Sequence, residues 1–161
     1  MEKLIKELNG FLGRATTKTY AGSGPEIDTQ RPGFIELEYK EGDWHYRDSY
    51  AGFFRSWGQE VVRYKGKPIW TQLYGGGMEK AYISNTQFAH QTFQFLKKAM
   101  SSGEKSGMFQ PRGPERFRQG DWKYTSTWDG DINTFIGSEK ITYKGKTVFT
   151  HSFLGGIFIV K

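Results

Sequence analysis

Gly42-Asp43-Trp44-His45-Tyr46 returns later in the chain as Gly120-Asp121-Trp122-Lys123-Tyr124, with an offset of 78 residues from Trp44 to Trp122. A longer block, Gly58-Gln59-Glu60-Val61-Val62-Arg63-Tyr64-Lys65-Gly66-Lys67-Pro68-Ile69-Trp70-Thr71, recurs at an offset of 79. Its second copy reads Gly137-Ser138-Glu139-Lys140-Ile141-Thr142-Tyr143-Lys144-Gly145-Lys146-Thr147-Val148-Phe149-Thr150. Upstream, Phe11-Leu12-Gly13-Arg14-Ala15 echoes Phe95-Leu96-Lys97-Lys98-Ala99, and Arg31-Pro32-Gly33 echoes Arg112-Gly113-Pro114. Self-similarity on this scale is the mark of one structural unit used twice. The 161 residues are therefore expected to contain internal repeats over 1–78 and 84–161, packed as a single domain over 1–161.

Each copy contains the pattern of a helix followed by strands. Leu4, Leu8, Phe11 and Leu12 fall at i, i+4, i+7 and i+8, one apolar stripe of a helix, and Phe88, Thr92, Phe95, Leu96 and Ala99 repeat that spacing. Ser84 and Asn85 are the candidates for capping the second helix, which Ser101-Ser102-Gly103 should end. Between Ile35 and Tyr50 the apolar residues alternate with charged ones around a turn at Glu41-Gly42-Asp43, the pattern of a hairpin. Lys65-Gly66 and Lys144-Gly145 mark two-residue turns between strands rich in Val, Ile and Tyr. Ile157 to Val160 reads as a last strand, Glu79 to Ser84 as the linker, and Thr16 to Pro32 as a long loop. A helix with four short strands cannot cover both faces of its own sheet, so the two copies should merge about a pseudo-twofold axis. The expected class is α+β, two tandem units of a helix plus an antiparallel meander.

Composition fits this. With 13 Phe, 9 Tyr and 5 Trp the core must be built from rings, which favour strands. The absence of Cys excludes disulfides, thiolate metal sites and a cysteine nucleophile. Charges break the apolar residues of Met1-Glu2-Lys3-Leu4-Ile5-Lys6, and no stretch reaches membrane-spanning length, so a cytoplasmic location without membrane association is expected. A net charge of +6 favours anionic partners.

Positions that both copies keep serve the fold, whereas polar positions found in one copy are free to serve a function. The kept set comprises Gly42 and Gly120, Trp44 and Trp122, Tyr46 and Tyr124, Tyr64 and Tyr143, Gly66 and Gly145, together with the carboxylates Glu60 and Glu139. Those two carboxylates are read as structural, on the wet face or in ion pairs. The first copy alone carries Arg47-Asp48-Ser49, where the second has Thr125-Ser126-Thr127, and Arg55-Ser56-Trp57, where the second has Thr134-Phe135-Ile136. Arg14, Arg31, Arg47 and Arg55 are expected to converge near the glycine-rich loop Thr19 to Gly24. A guanidinium cluster beside Tyr20, Trp44, Trp57 and Trp70 would suit a ring-bearing anion, with Gln59 and Glu60 fixing its orientation. The same arginines could instead cover aromatic edges and pair with Glu36, Glu38 and Asp48.

Other motifs are weaker. Gly75-Gly76-Gly77 lacks the remainder of a phosphate loop and reads as a hinge or bulge. His45, His90 and His151 have no metal-ligand spacing, and Asp129-Gly130-Asp131 reads as a turn. Lys97, Lys98, Arg112, Arg116 and Arg118 form a basic strip that reads as a solvated face.

Tyr46-Arg47-Asp48-Ser49-Tyr50-Ala51-Gly52, Gly58-Gln59-Glu60-Val61-Val62, Gly66-Lys67-Pro68-Ile69-Trp70 and Tyr74-Gly75-Gly76 together resemble a bacterial family known as domain of unknown function 5680. Thr19-Tyr20-Ala21-Gly22, Arg31-Pro32-Gly33 and Gly120-Asp121-Trp122 extend the likeness. Its members stand alone or behind a helix-turn-helix of the Xre type, which implies a sensor-like role and supplies no catalytic residues. Three functions are therefore carried forward. The first is a binding or sensor module that holds a small anionic, nucleotide-like molecule on the first copy, without a cofactor or metal, through Tyr20, Arg31, Trp44, Arg47, Asp48, Arg55, Trp57, Gln59, Glu60 and Trp70. The second is a protein-interaction module (an inhibitor, immunity or adaptor protein) that meets an acidic protein or a second copy of itself, nucleic acid being a weaker candidate. The third is a hydrolase-like enzyme that uses Glu60 with Asp48, provided that both side chains share one cleft wall and Glu60 is not tied to an arginine.

Overall fold

A computed structural model describes residues 2–103 and 107–159. Along the chain come α1 (Glu2–Lys18), β1 (Ile35–Glu41), β2 (Trp44–Gly52), β3 (Arg55–Tyr64), β4 (Lys67–Met78) and a short 3-10 turn (Lys80–Tyr82). They are followed by α2 (Thr86–Gly103), β5 (Arg116–Gln119), β6 (Trp122–Asp131), β7 (Thr134–Tyr143) and β8 (Lys146–Ile157). The fold is α+β, with all eight strands in one antiparallel sheet of order β1-β2-β3-β4-β8-β7-β6-β5. Each run of four is a meander, and the two meanders join where β4 pairs with β8, from Trp70 opposite Ile157 to Met78 opposite Phe149.

The turns follow from their residues. Lys65 and Gly66 have φ of 50° and 78°, and Lys144 and Gly145 have 49° and 79°, so both hairpins use two left-handed residues, the geometry that matches strand twist. The Asn85 side-chain oxygen accepts the Phe88 N–H at 3.0 Å and so caps α2. Four expectations differ. The loop expected from Thr16 begins later, because α1 runs on to Lys18. Asp129 to Asp131 lie inside β6, and the turn sits one step on, where the Asp131 carboxylate accepts the Asn133 N–H at 2.8 Å. Gly75 to Gly77 lie inside β4 instead of forming a hinge. The expected last strand is the end of β8, which stops at Ile157, and Val160 lies outside the described residues.

The pleat sends Leu37, Tyr46, Val62, Trp70, Tyr124, Ile141 and Phe153 to one face, where all are buried. Both helices cover that face. Leu8, Phe11 and Ala15 of α1 pack on Tyr46, Val62, Trp70, Phe135 and Phe153, while Phe95, Leu96 and Ala99 of α2 pack on Met78, Tyr124, Ile141 and Phe149. These are two apolar clusters, and His151 touches both, with its ring centroid 4.4 Å from that of Phe149 and 5.7 Å from that of Tyr74.

On the opposite face Trp57, Leu73, Ile136 and Leu154 are exposed. Near β1 that face also buries Glu36, which accepts from Ser49 Oγ at 2.9 Å, Arg47 at 3.2 Å and the Gln30 N–H at 3.0 Å. The loop after α1 also reaches the outer edge of the sheet, where the Ile27 N–H bonds the Glu36 carbonyl at 3.0 Å. At the other edge β5 is only four residues long.

The glycines of β4 make the seam tight. Gly76 has φ of 133°, and a Cβ there would lie 2.2 Å from the Thr150 carbonyl oxygen and 3.2 Å from the His151 ring. Gly33 has φ of 78° with open space around it. Gly76→Ala should therefore lower stability by about 3 kcal/mol, combining backbone strain with overpacking. Gly33→Ala should cost only about 1 kcal/mol. Urea unfolding of the two variants measures the difference, and equal losses would contradict this account of the seam.

Candidate functional site

Between the sheet, the end of α1 and α2 lies a cavity of about 430 Å³, within the size range of small-molecule sites. Tyr20, Tyr50, Tyr74, Phe93 and Phe149 give it aromatic walls, and Ser23, His90, Gln94 and Lys97 stand at its mouth. Its polar lining includes Asp48 from β2, Glu60 from β3, Arg112 from the loop before β5, and His151 from β8. All four are buried.

Strand register assembles the polar group. Asp48, Glu60 and Gln72 are direct partners across β2, β3 and β4, and Ser126, Glu139 and His151 are direct partners across β6, β7 and β8. Direct partners share a face, so these six side chains point toward the helices. Arg112 joins the two rows: its Nε donates to Glu139 Oε1 at 3.0 Å and a terminal nitrogen donates to Glu60 Oε1 at 3.2 Å. Its guanidinium lies 4.4 Å from the centre of the Tyr74 ring. Tyr124 donates to Glu139 Oε2 at 2.6 Å, His151 Nδ1 lies 3.0 Å from Glu139 Oε1, and Gln72 donates to Glu60 Oε1 at 3.3 Å. Asp48 accepts the Tyr74 hydroxyl at 2.8 Å.

These contacts divide the carboxyls into two kinds. Burial would raise Glu139, but Arg112 and the hydrogen bond from His151 hold it down at about 2, so it is ionised. Burial, reinforced by the charge of Asp48, pushes Glu60 up to about 8. Burial likewise raises Asp48, to about 6, against the pull of Tyr74 and Arg112. Burial lowers His151 despite Glu139, which leaves the imidazole neutral near pH 7. Glu139 and Arg112 thus form the ion pair, and Glu60 carries a proton at neutral pH. Among the described residues no group of three or more His, Asp or Glu could hold a metal ion.

The sheet divides the residues singled out in the sequence. Tyr20, Asp48 and Glu60 line the cavity. Trp44 and Trp70 face the helices as core, Trp44 stacked on Phe11 at 5.3 Å and Trp70 on Phe135 at 5.9 Å. Arg47 projects from the opposite face, bound to Glu36 and Glu38 at 3.2 Å each. On that side Arg31 donates to Gln59 Oε1 at 3.0 Å, and Trp57 is 61% exposed. Arg55 is exposed and reaches the Met78 carbonyl at 3.4 Å, while Arg14 pairs with Glu41 at 2.7 Å. The four arginines therefore do not converge: three are engaged with acidic side chains or Gln59, and the fourth with a backbone carbonyl.

Arg112 and His151 were missed. For Arg112, the sequence neighbours Arg116 and Arg118 suggest a solvated strip, yet the loop that carries it dips into the core. His151 carried a signal: it shares strand parity with Phe149 and Phe153, so a polar side chain stands among inward aromatics. The lining also draws on both halves of the chain, with Lys97, Arg112, Phe149 and His151 coming from the second.

The raised Glu60 value fixes the sign of a pH effect. The folded chain keeps a proton that the unfolded chain releases, so stability falls as pH rises from the ordinary 4.5 to about 8. Glu139 acts oppositely, adding stability above pH 4.5 that is lost toward pH 2. Glu60→Gln copies the protonated carboxyl. It should match the wild type near pH 4.5 and exceed it at pH 8 by on the order of 1 kcal/mol or more in urea unfolding. A variant equally destabilised at both pH values would contradict the assignment.

Neither curated proteins nor solved structures gave a match to the chain. A family model does match, over residues 48–158, which run from the middle of β2 to the end of β8 and hold Asp48, Glu60, Arg112, Glu139 and His151. The chain therefore belongs to the family described as Domain of unknown function (DUF5680).

Proposed function

We propose that this protein is a binding module that encloses a small ring-bearing molecule between its helices and the inner face of its sheet. The observation that carries this is the cavity of about 430 Å³, aromatic on its walls and lined at depth by Asp48, Glu60, Arg112 and His151. A concave apolar site with a few convergent polar groups and shifted protonation is the common form of a ligand site. The expected anionic ligand rested on converging arginines, and those side chains are engaged elsewhere, so charge selection falls to the residues of the cavity. Hydrolysis by Asp48 and Glu60 is not advanced: the two share a wall, but Glu60 is held by Arg112 and Gln72.

The halves 1–78 and 84–161 are read as copies of one unit merged about a pseudo-twofold axis into a single domain. Support comes from a strand order that reads the same from either edge, and from register shifts at matching places, Val62/Arg63 and Ile141/Thr142.

Gln94 is exposed at the mouth, so Gln94→Trp should close the cavity without disturbing the core. In a thermal-shift screen of ring-bearing metabolites, a ligand at a hundred times its dissociation constant adds about 2.7 kcal/mol to the wild type and nothing to Gln94→Trp. A flat screen, or a shift that survives the variant, argues against the cavity as the site.

A second reading is favoured by the opposite face, where Leu73, Leu154 and Ile136 sit in register across β4, β8 and β7 beside exposed Trp57. An apolar row of this kind suits a protein partner, including a second copy of the chain. Sedimentation equilibrium should then report a dimer that Leu154→Lys dissociates, whereas a wild-type monomer at the same concentration removes self-association through this face.

A further inference from the structure

We propose that the cavity selects a cation, a ring-bearing molecule with a protonated amine or amidine, held by the Asp48 carboxylate and the free imidazole nitrogen of His151. The proposal rests on cavity binding as put forward above and names the class of ligand.

The first observation is a charge imbalance. With Glu60 protonated, two buried carboxylates, Asp48 and Glu139, face one buried guanidinium, Arg112, whose hydrogen bonds go to the two glutamates and not to Asp48. Asp48 receives the Tyr74 hydroxyl and, among the described residues, no ion pair. The other cation of the lining, Lys97, is drawn away at the mouth, where its Nζ donates to Ser23 at 3.1 Å and lies 5.0 Å from the centre of the Tyr20 ring. Arg112 pulls on Asp48 without bonding to it, and a buried carboxyl with no bonded counter-charge is stabilised by taking either a proton or a cation. An arriving ammonium or amidinium would supply what the fold withholds from Asp48.

The second observation is independent of charge. His151 lines the cavity, and its Nε2 is buried without a hydrogen-bond partner among the described residues. Glu139, ionised by Arg112, can only accept, so the Nδ1 that faces it at 3.0 Å carries the imidazole hydrogen. Nε2 is therefore a bare acceptor, and a buried acceptor left unmet costs stability until a donor reaches it. Asp48 and His151 thus both ask for N–H or O–H groups. Aromatic rings around them favour a flat partner and attract positive charge through their faces. A carboxylate or phosphate would meet Asp48 as a like charge, and a neutral alcohol would satisfy the hydrogen bonds but leave the charge unbalanced.

Matched probes separate these cases. Benzamidine and 2-phenylethylamine should bind the wild type in calorimetric titration, benzyl alcohol should bind at least about tenfold more weakly, and benzoate should give no heat. Asp48→Asn keeps an acceptor for Tyr74 and should weaken both cations about tenfold or more, while Gln94→Trp should abolish them. Without any variant, the 15N resonance of His151 Nε2 should move on adding benzamidine and stay still with benzoate. Benzoate binding that Gln94→Trp blocks overturns the cationic class and leaves cavity binding standing. Cation binding that is indifferent to both variants, or a His151 resonance unmoved at saturation, overturns the proposal. Silence from all four probes also overturns it, and the metabolite screen then decides cavity binding separately.

Discussion

Arg112 holds the molecule's centre together. Glu60 and Glu139 point inward from strands of different halves, and one guanidinium bonds both. Removing one partner of such a buried group typically costs about 3–5 kcal/mol, because the charge left behind has no water to turn to. The loop that delivers Arg112 is shaped for this. Gly113 passes so close to Tyr124 that a Cβ would stand 2.8 Å from its hydroxyl oxygen, the same hydroxyl that donates to Glu139. Loop, β3, β6 and β7 are thus fastened at one point, where the α1 and α2 clusters meet.

The halves differ in the interior as well as on the surface. Register places Asp48 and Gln72 on either side of Glu60, and Ser126 and His151 on either side of Glu139. Ser126 brings a neutral hydroxyl, whereas Asp48 brings a carboxyl that Tyr74 engages. Asp48 and Glu60 open onto the cavity from one side and His151 from the other, while Glu139 is consumed by Arg112, Tyr124 and the imidazole. Of the two inward glutamates, Glu139 is thereby fixed as an ion and Glu60 kept protonated, although the residues are identical.

What could be read from the residues alone was what local physics decides. Turn residues located the Lys65-Gly66 and Lys144-Gly145 hairpins, and helical spacing found both apolar stripes. The α+β class followed. The proposed arginine cluster ignored the two-residue period of a strand: Arg47 and Asp48 are neighbours in sequence and so lie on opposite faces of β2. Gln59 and Glu60 part company in the same way on β3. Arg112 was beyond sequence reasoning, since Arg31-Pro32-Gly33 and Arg112-Gly113-Pro114 look alike, yet Arg31 is exposed and Arg112 is buried. Only long-range packing distinguishes them.

The edges of the sheet bear on how such a molecule can associate. An outer strand normally offers unpaired backbone groups on which another chain can extend the sheet. Here the loop after α1 occupies one border through the Ile27 amide, and the other border is a four-residue strand bearing Arg116 and Arg118. Growth by adding strands is thereby discouraged at both ends, which leaves the broad outer surface as the place where the proposed pairing of two copies could form and stop at a pair.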